Sequence, residues 1–127
     1  MQRIIVDACG WVAVIDAGIN IDDALLKLLG SSQLLLLPDV EKELEELNSK
    51  RPKKKSLLLQ LLKAKTVMID APANSGNHPD DQILLLAINE GFSVLTVDTD
   101  LKRRLFDSGI RIIEVAKNKR LNMIDNL

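Results

Sequence analysis

The sequence contains few aromatic side chains: two Phe, one Trp and no Tyr among 127 residues. Proteins that hold single-stranded nucleic acid by base stacking, such as RRM and OB modules, depend on exposed aromatic platforms. This composition therefore argues against a stacking-based reader of nucleic acid. Recognition of a phosphate backbone through cations or metal ions remains compatible with it.

Cysteine and histidine are also scarce. The single Cys9 cannot form an internal disulfide, and only His78 could join it at a metal, so a Cys/His zinc cluster is excluded. The longest uninterrupted apolar run, Ile83 to Ile88, is far shorter than a membrane span. Asp7 interrupts the only early apolar run, so no signal peptide is predicted. We therefore expect a cytoplasmic protein with no membrane segment.

The chain has no excess of one charge. Seventeen Lys and Arg residues nearly balance eighteen Asp and Glu residues, which gives a net charge of −1. A uniformly basic nucleic-acid binder is excluded, whereas a locally basic face is not. The contents of 46% hydrophobic and 28% charged residues are typical of a globular protein. We expect one domain that spans residues 1–127, because this length is sufficient for one core and too short for two.

Short apolar runs alternate with longer helical patterns. Five runs are predicted to be strands, over residues 3–7, 34–37, 66–70, 92–97 and 111–115. Because these runs are continuously apolar rather than alternating, they favour a sheet that is covered on both faces. The helices between them predict a three-layer α/β/α fold with a five-stranded, mainly parallel sheet, followed by a short basic tail. The helix around residues 83–88 is apolar nearly all round, which predicts deep burial.

Acidic side chains follow the predicted strands or begin the helices after them. Ligands of open parallel sheets bind beyond the carboxyl ends of the strands, so acids at that edge are candidates for a shared site. Carboxylates that converge there repel one another unless a cation neutralises them, and such oxygen ligands suit Mg²⁺ or Mn²⁺. These ions bridge phosphates, activate a water and stabilise a leaving oxygen. The candidate acids are Asp7, Asp39, Glu41, Glu43, Asp80, Asp81, Asp98 and Asp100.

Most of these acids also have an ordinary structural explanation. Asp80 and Asp81 lie at a predicted helix start, where carboxylates interact favourably with the helix dipole. Asp98 or Thr99 is suited to be a helix N-cap. Asp7 is the exception, since it ends a buried strand, caps no obvious turn and is costly to desolvate without a partner. The pattern of the residues leaves the structural and the functional explanations open.

Four segments of the chain resemble the acidic motifs of PIN-domain nucleases. The similarity covers nearly the whole chain in order, in the segments Ile5 to Asp7, Pro38 to Leu44, Asp80 to Ile83 with Ala87, and Leu95 to Asp98. The resemblance implies a PIN fold and metal-dependent phosphodiester hydrolysis, usually of RNA, with Mg²⁺ or Mn²⁺ as the cofactor. It also implies which acids are catalytic and bind the metal, namely Asp7, Glu43, Asp80 and Asp98. Asp81 and Asp100 are secondary metal candidates, because related sites often carry an extra acid beside these positions.

The first motif departs from the family pattern. The family usually has Asp-Thr-Asn or Asp-Ser-Asn there, whereas this chain has Asp7-Ala8-Cys9. The missing hydroxyl and amide normally organise the metal site through hydrogen bonds to its ligands. Two alternatives therefore stay open: a metal-dependent nuclease of full or reduced activity, and a non-catalytic module that binds RNA or protein on a degenerate PIN scaffold.

Two clusters of cations flank the predicted acidic edge. Each is either a solvated surface or a set of contacts to the phosphate backbone of RNA. The candidate RNA-binding residues are Lys53, Lys54, Lys55, Lys102, Arg103 and Arg104. We expect His78, beside the third acid, to be incidental, and Cys9 to be a buried small residue.

The resemblance allows two biological roles. One is an RNA-processing nuclease similar to the PIN proteins of ribosome biogenesis, with a ribosome-assembly partner. The other is a VapC-like toxin that is held by an antitoxin. The Asp-Asp-Gln-Ile motif at residues 80–83 leans towards the first role. The surplus leucines of residues 57–62 are either buried within the chain or form a homodimer interface.

Overall fold

The computed structural model describes residues 1–124. In these residues strands and helices alternate, as the sequence predicts. The strands are β1 (Gln2–Val6), β2 (Ser32–Leu36), β3 (Thr66–Met68), β4 (Ser93–Leu95), β5 (Ile112–Val115) and β6 (Leu121–Met123). The helices are α1 (Ala8–Ala17), α2 (Ile21–Leu29), α3 (Pro38–Asn48), α4 (Lys53–Lys63), α5 (Pro79–Glu90) and α6 (Thr99–Asp107).

One sheet with the strand order β3-β2-β1-β4-β5-β6 organises the fold. The first five strands are parallel, and Val6 of β1 lies opposite Leu95 of β4. Along the chain, β2 and β3 add to one side of β1, and β4 and β5 then add to its other side. The strand order therefore reverses between β1 and β4. The carboxyl ends of β1, β2, β4 and β5 meet at one edge, which is where parallel sheets bind ligands. The predicted α/β class with a mainly parallel sheet is confirmed.

The predicted count of five strands was too low by one. The expected basic tail after β5 turns back, and β6 pairs antiparallel with β5 through Leu121 and Val115. β6 has only three residues, of which Asn122 and Met123 are exposed. A strand this short, with a polar residue in its centre, carries no apolar run that a sequence pattern could detect.

The core lies on both faces of the sheet. Ile4, Ile5 and Val6 of β1 are all fully buried although successive side chains point to opposite faces, so helices cover both faces. Trp11 of α1 is also fully buried, and its indole N–H donates to the Val6 carbonyl at 3.1 Å. This bond satisfies the one polar atom of the side chain and fixes α1 against the end of β1.

Two apolar helices are less buried than their composition suggests. In α5, Ile83 and Ala87 are fully buried, but Ile88 is 51% exposed, so the predicted deep burial holds for part of the helix. In α4 the buried residue is Leu59, whereas Leu57 and Leu61 are 57% and 63% exposed. The surplus leucines therefore lie on the surface, and their part in a homodimer stays a prediction. Within residues 1–124, the helices are too short or too polar to cross a membrane.

Candidate active site

A cavity of about 450 Å³ opens at the carboxyl edge of the sheet. The four acids that the sequence predicts to be catalytic all lie on its wall, and each comes from a different part of the chain: Asp7, Glu43, Asp80 and Asp98. The cavity wall also includes Ala8, Cys9, Asp39, Lys42, Glu46, Asn77, His78 and Pro79. The fold therefore brings the predicted set together.

Asp7 is the most enclosed of these acids, with 5% of its surface exposed. It directly follows β1 and is the N-cap of α1, where its Oδ1 accepts from the Gly10 N–H at 2.8 Å. The expectation that it caps no turn was therefore wrong. Its Oδ2 accepts from the Thr96 hydroxyl at 2.5 Å and from the Cys9 thiol at 3.1 Å. Both oxygens are thus oriented by neutral donors from two segments of the chain.

Burial is the main influence on the charge of Asp7 and Asp80. Desolvation raises the pKa of Asp7, while its hydrogen bonds lower that pKa and the nearby charge of Asp80 raises it further. Desolvation also raises the pKa of Asp80; His78 opposes this shift and Asp98 reinforces it. The two carboxylates therefore carry a charge that the surrounding side chains do not fully stabilise, and a cation bound between them would stabilise it.

Thr96 connects the first and the fourth acid. It is fully buried after β4, donates its hydroxyl to Asp7 Oδ2 and accepts the Asp98 N–H at 3.1 Å on the same oxygen. Asp98 in turn caps α6, since its Oδ1 accepts from the Leu101 N–H at 3.0 Å. One hydroxyl thus fixes the relative placement of Asp7 and the Asp98 segment.

Cys9 has a more specific position than the sequence suggests. It is partly buried, and its thiol donates to Asp7 at the position where the family pattern has an amide. Burial and the neighbouring Asp7 raise the pKa of Cys9 to about 11, so the thiol keeps its proton at neutral pH. Cys9 and Thr96 together supply two donors to Asp7, which compensates in part for the departure of the first motif.

Gly10 permits the close approach of α1 to the site. A Cβ atom at this position would lie 2.6 Å from the Leu95 carbonyl oxygen and 2.8 Å from Asp7 Oδ1. Any larger residue must therefore displace β4 or Asp7, which caps α1 by accepting the Gly10 N–H. This role was not predicted from the sequence, although a glycine at the start of a predicted helix was an available signal.

Asp80 begins α5 together with a histidine. His78 is the N-cap of α5, and its Nδ1 accepts from the Asp80 N–H at 3.1 Å. This bond places the proton of a neutral imidazole on Nε2. His78 is therefore not incidental to the fold, and it lies on the cavity wall beside Asp80.

One face of α3 contributes further acids to the cavity. Asp39, Glu43 and Glu46 are four and three residues apart, a spacing that aligns side chains along one side of a helix. Asp39 accepts from the Gln82 side-chain amide at 2.8 Å, and the same amide donates to the Gly76 carbonyl at 3.0 Å. Asp39 is one of the acids at the predicted edge of the sheet but is not in the predicted catalytic set.

Several predicted residues lie outside the cavity wall. Asp81 instead accepts from Arg104 at 2.7 Å, and Asp100 is exposed on α6. Adjacent residues on a helix point about 100° apart, and the Asp81 side chain lies against Arg104 rather than on the cavity wall. The structure therefore brings Asp80 into the site but neither secondary candidate.

Half of the predicted RNA-binding cations are engaged in ion pairs. Lys55 pairs with Asp16 at 2.7 Å and Lys102 with Glu114 at 3.4 Å. Arg104 pairs with Asp81. The other three predicted cations are exposed, namely Lys53, Lys54 and Arg103.

The donor set of the cavity fits a hard divalent cation. Within residues 1–124, no group of three or more Asp, Glu, His or Cys side chains is arranged so that it could hold a metal ion by itself. Mg²⁺ usually takes one or two carboxylates and completes its shell with waters and substrate phosphates, so a complete protein cage is not required. Asp7, Asp80 and Asp98 supply oxygen donors of this type around a solvent-accessible space.

Comparison with known proteins agrees with this geometry. The chain is similar over 96% of its length to the structure of the PIN domain endonuclease Utp24, with 92% of that chain covered, 23% identity and a TM-score of 0.78. It is also similar to VapBC2 from Rickettsia felis bound to a promoter DNA fragment, with 18% identity, a TM-score of 0.65 and coverages of 89% and 98%.

The fold match extends to PAE2754 from Pyrobaculum aerophilum, with 18% identity, a TM-score of 0.57 and coverages of 81% and 79%. Among functionally curated proteins, none matches the chain. A family model described as "PIN like domain" matches residues 4–118, which is most of the sequence. The chain therefore belongs to the PIN-like domain family.

Proposed function

We propose that the protein is a divalent-metal-dependent endoribonuclease that acts in RNA processing. The observation that carries this proposal is the convergence of Asp7, Glu43, Asp80 and Asp98 on one cavity. Burial raises the pKa of two of these carboxylates, Asp7 and Asp80, and at Asp80 the charges of His78 and Arg104 offset this effect only in part. Structural acids in proteins usually have a cationic partner or remain solvated, so this arrangement favours a site for an external cation.

The proposed chemistry assigns a role to each acid. Asp7, Asp80 and Asp98 hold the ion, and Mg²⁺ or Mn²⁺, when bound, supplies positive charge for the scissile phosphate and the leaving oxygen. Asp7 needs no reorganisation for this role, because Gly10 and Thr96 already orient both of its oxygens. Glu43 lies exposed on the cavity wall, and we assign to it the role of accepting a proton from the attacking water.

Lys42 extends the proposed site on the side of α3. It is exposed, lies on the cavity wall and is the one lysine or arginine among its lining residues. A cation beside several carboxylates reduces the repulsion between the cavity and a phosphate. We assign Lys42 to contact with the substrate backbone.

A cleavage assay with matched variants tests the proposal. Purified protein, labelled single-stranded RNA and Mn²⁺ are combined, and wild type is compared with Asp7→Asn and Asp16→Asn. Both variants remove one carboxylate charge from α1, but Asp16 lies outside the cavity wall. Loss of cleavage in Asp7→Asn with retention in Asp16→Asn supports the mechanism. Equal cleavage by wild type and a folded Asp7→Asn would contradict the proposed mechanism.

The structure favours a catalytic site over a degenerate binding module. Ala8 and Cys9 motivated the non-catalytic alternative, yet the Cys9 thiol and Thr96 hydroxyl both donate to Asp7. An absence of Mn²⁺ binding by calorimetry would favour the non-catalytic alternative. Mn²⁺ binding by wild type that is lost in Asp7→Asn would count against the non-catalytic alternative.

Processing and toxin roles differ in their expected cellular effect. The fold similarity to the PIN domain endonuclease Utp24 is greater than that to VapBC2, with TM-scores of 0.78 and 0.65, which supports an endonuclease role. We propose that the exposed leucines of α4, Leu57, Leu58 and Leu61, form a homodimer interface. A toxin would arrest growth on expression in a manner that Asp7→Asn abolishes, and this result would favour the alternative role with an antitoxin as the partner.

A further inference from the structure

The turn between β5 and β6 carries a set of cations that the proposed function has not used. It spans residues 116–120, with the sequence Ala-Lys-Asn-Lys-Arg. Lys117, Lys119 and Arg120 are all exposed, and among residues 1–124 none of the three forms a salt bridge. They differ in this respect from Lys55, Lys102 and Arg104, whose charges are matched by acids.

The backbone of this turn is well defined and holds one lysine in an unusual conformation. The Ala116 N–H donates to the Arg120 carbonyl at 2.8 Å, and the Lys119 N–H donates to the Ala116 carbonyl at 3.0 Å. Lys119 has a φ of +61°, in the left-handed region where glycine or asparagine is the usual residue. A side chain with a Cβ is strained there, so the chain carries a cation at a position where glycine would be more stable.

The strand register places the turn at the same edge of the sheet as the acids. Leu95 of β4 lies opposite Ile113 of β5, and β5 continues to Val115, so the turn follows the carboxyl end of β5. Lys102, one helical turn after Asp98, reaches Glu114 at 3.4 Å and thereby links the start of α6 to the end of β5. The cations therefore lie beyond the same edge of the sheet at which Asp98 follows β4.

We propose that the 116–120 turn binds the phosphate backbone of a nucleic-acid strand that enters the carboxylate cavity. This inference rests on the proposed nuclease function and adds a substrate-binding surface to it. The acids of the cavity repel polyphosphate, so binding requires unpaired cations beside them. The turn supplies three such cations without an aromatic platform, which agrees with contacts to phosphates rather than to bases.

Salt-dependent binding measures these contacts directly. Fluorescence anisotropy with a labelled 20-nucleotide single-stranded RNA is recorded in EDTA over a range of KCl concentrations. Each phosphate contact to a single strand contributes roughly 0.7 to the slope of log K against log salt. Lys117→Gln/Lys119→Gln is expected to lower the slope by about 1.4 and to weaken binding about 25-fold at 0.1 M KCl. A single-stranded DNA of the same sequence should show the same loss, because both backbones are phosphodiesters.

A charge-matched variant controls for net charge. Arg3 and Arg111 are exposed cations at the amino ends of β1 and β5, on the opposite edge of the sheet. Arg3→Gln/Arg111→Gln is expected to leave the slope unchanged. Equal losses in the two double variants, no loss in the turn variant, or no binding by wild type would each overturn the inference.

A second variant separates binding from folding. Lys119→Gly removes one cation and the conformational cost of the left-handed residue, so we expect a higher Tm together with about fivefold weaker RNA binding at 0.1 M KCl. An unchanged affinity of Lys119→Gly for RNA would contradict the inference that the turn binds the phosphate backbone. The Mn²⁺ cleavage assay tests the nuclease proposal separately. If wild type does not cleave RNA but the turn variants still weaken RNA binding, only the nuclease proposal is overturned. If wild type cleaves RNA and the turn variants bind RNA as tightly as wild type, only the inference about the turn is overturned.

Discussion

Helix α1 carries a carboxylate at each end, and the two carboxylates have opposite environments. Asp7 caps the amino end, is 5% exposed and is bonded to neutral donors, and burial raises its pKa. Asp16 lies in the last turn, with a side chain that is 44% exposed, and contacts Lys55 and Arg51. The hydrogen bond from Lys55 is the leading influence that lowers the pKa of Asp16.

This contrast distinguishes a structural acid from a candidate metal ligand. The helix dipole disfavours a negative charge at the carboxyl end, and Arg51 and Lys55 offset that effect at Asp16. The amino end favours a negative charge, yet Asp7 forms no salt bridge within residues 1–124. Asp16 therefore has its cations within the chain, whereas Asp7 has none and suits a cation from solution.

Metal-linked stability should separate the two ends most strongly. A ligand at 100 times its dissociation constant stabilises a protein by about 2.7 kcal/mol. We expect Mn²⁺ to raise the free energy of unfolding of wild type and of Asp16→Asn by this amount, and to have little effect on Asp7→Asn. Urea unfolding with and without Mn²⁺ measures the difference. Equal stabilisation of all three proteins would place the metal elsewhere.

The Thr96 hydroxyl tests whether the orientation of Asp7 matters. Thr96→Val keeps the shape of the side chain but removes the donor to Asp7 and the acceptor for the Asp98 N–H. Removing a group that orients a metal ligand typically costs about 10–100-fold in metal affinity or activity. Calorimetric titration with Mn²⁺ measures this loss. Thr96→Ser retains the hydroxyl and is the control that should recover most of the affinity.

Cys9 should have a smaller effect on the same carboxylate. Its thiol is a weak donor, and a single neutral hydrogen bond contributes about 0.5–1.5 kcal/mol, so Cys9→Ala should weaken Mn²⁺ binding by less than about tenfold. Cys9→Ser supplies a hydroxyl at the same position and should restore binding. If Cys9→Ser and Cys9→Ala behave alike, the thiol fills space and does not orient Asp7.

The two ends of α1 should also differ in their pH dependence. The raised pKa of Asp7 means that its charge opposes folding at neutral pH, and this cost disappears as the pH falls through the folded-state pKa. The lowered pKa of Asp16 means that its negative charge stabilises the folded state. This stabilisation is present above the unfolded-state pKa and is lost as the pH falls through the folded-state pKa.

Unfolding measured from pH 7 to pH 3 without metal gives the comparison. Relative to wild type, Asp7→Asn should be more stable at pH 7, with an advantage that shrinks as the pH falls. Asp16→Asn should be less stable at pH 7, by no more than about 1 kcal/mol because the ion pairs are solvated, with a deficit that shrinks towards acid pH. The same sign for both variants would contradict the assigned environments.

The sequence predicts the parallel strands and the acids at their ends for a clear physical reason. Buried parallel strands need continuous apolar runs, and the acids that follow them stand out against those runs, as Asp7 does after Val6. The three-residue strand β6 carries no comparable signal. Partners distant in sequence were also beyond prediction, such as Gln82 with Asp39 and Arg104 with Asp81. A sequence shows the charge of a lysine but not which acid the fold brings beside it.

The central position of β1 has a consequence for amide hydrogen exchange. β1 is paired on both sides, to β2 and β4, so its amides can exchange only when the middle of the sheet opens. Asp7 follows this strand directly, whereas Asp80 lies in the first turn of α5, beside the exposed His78 and Asp81. Metal binding should therefore slow exchange in the first turn of α5 far more than in β1, because β1 is already paired on both sides and the first turn of α5 is partly exposed to solvent.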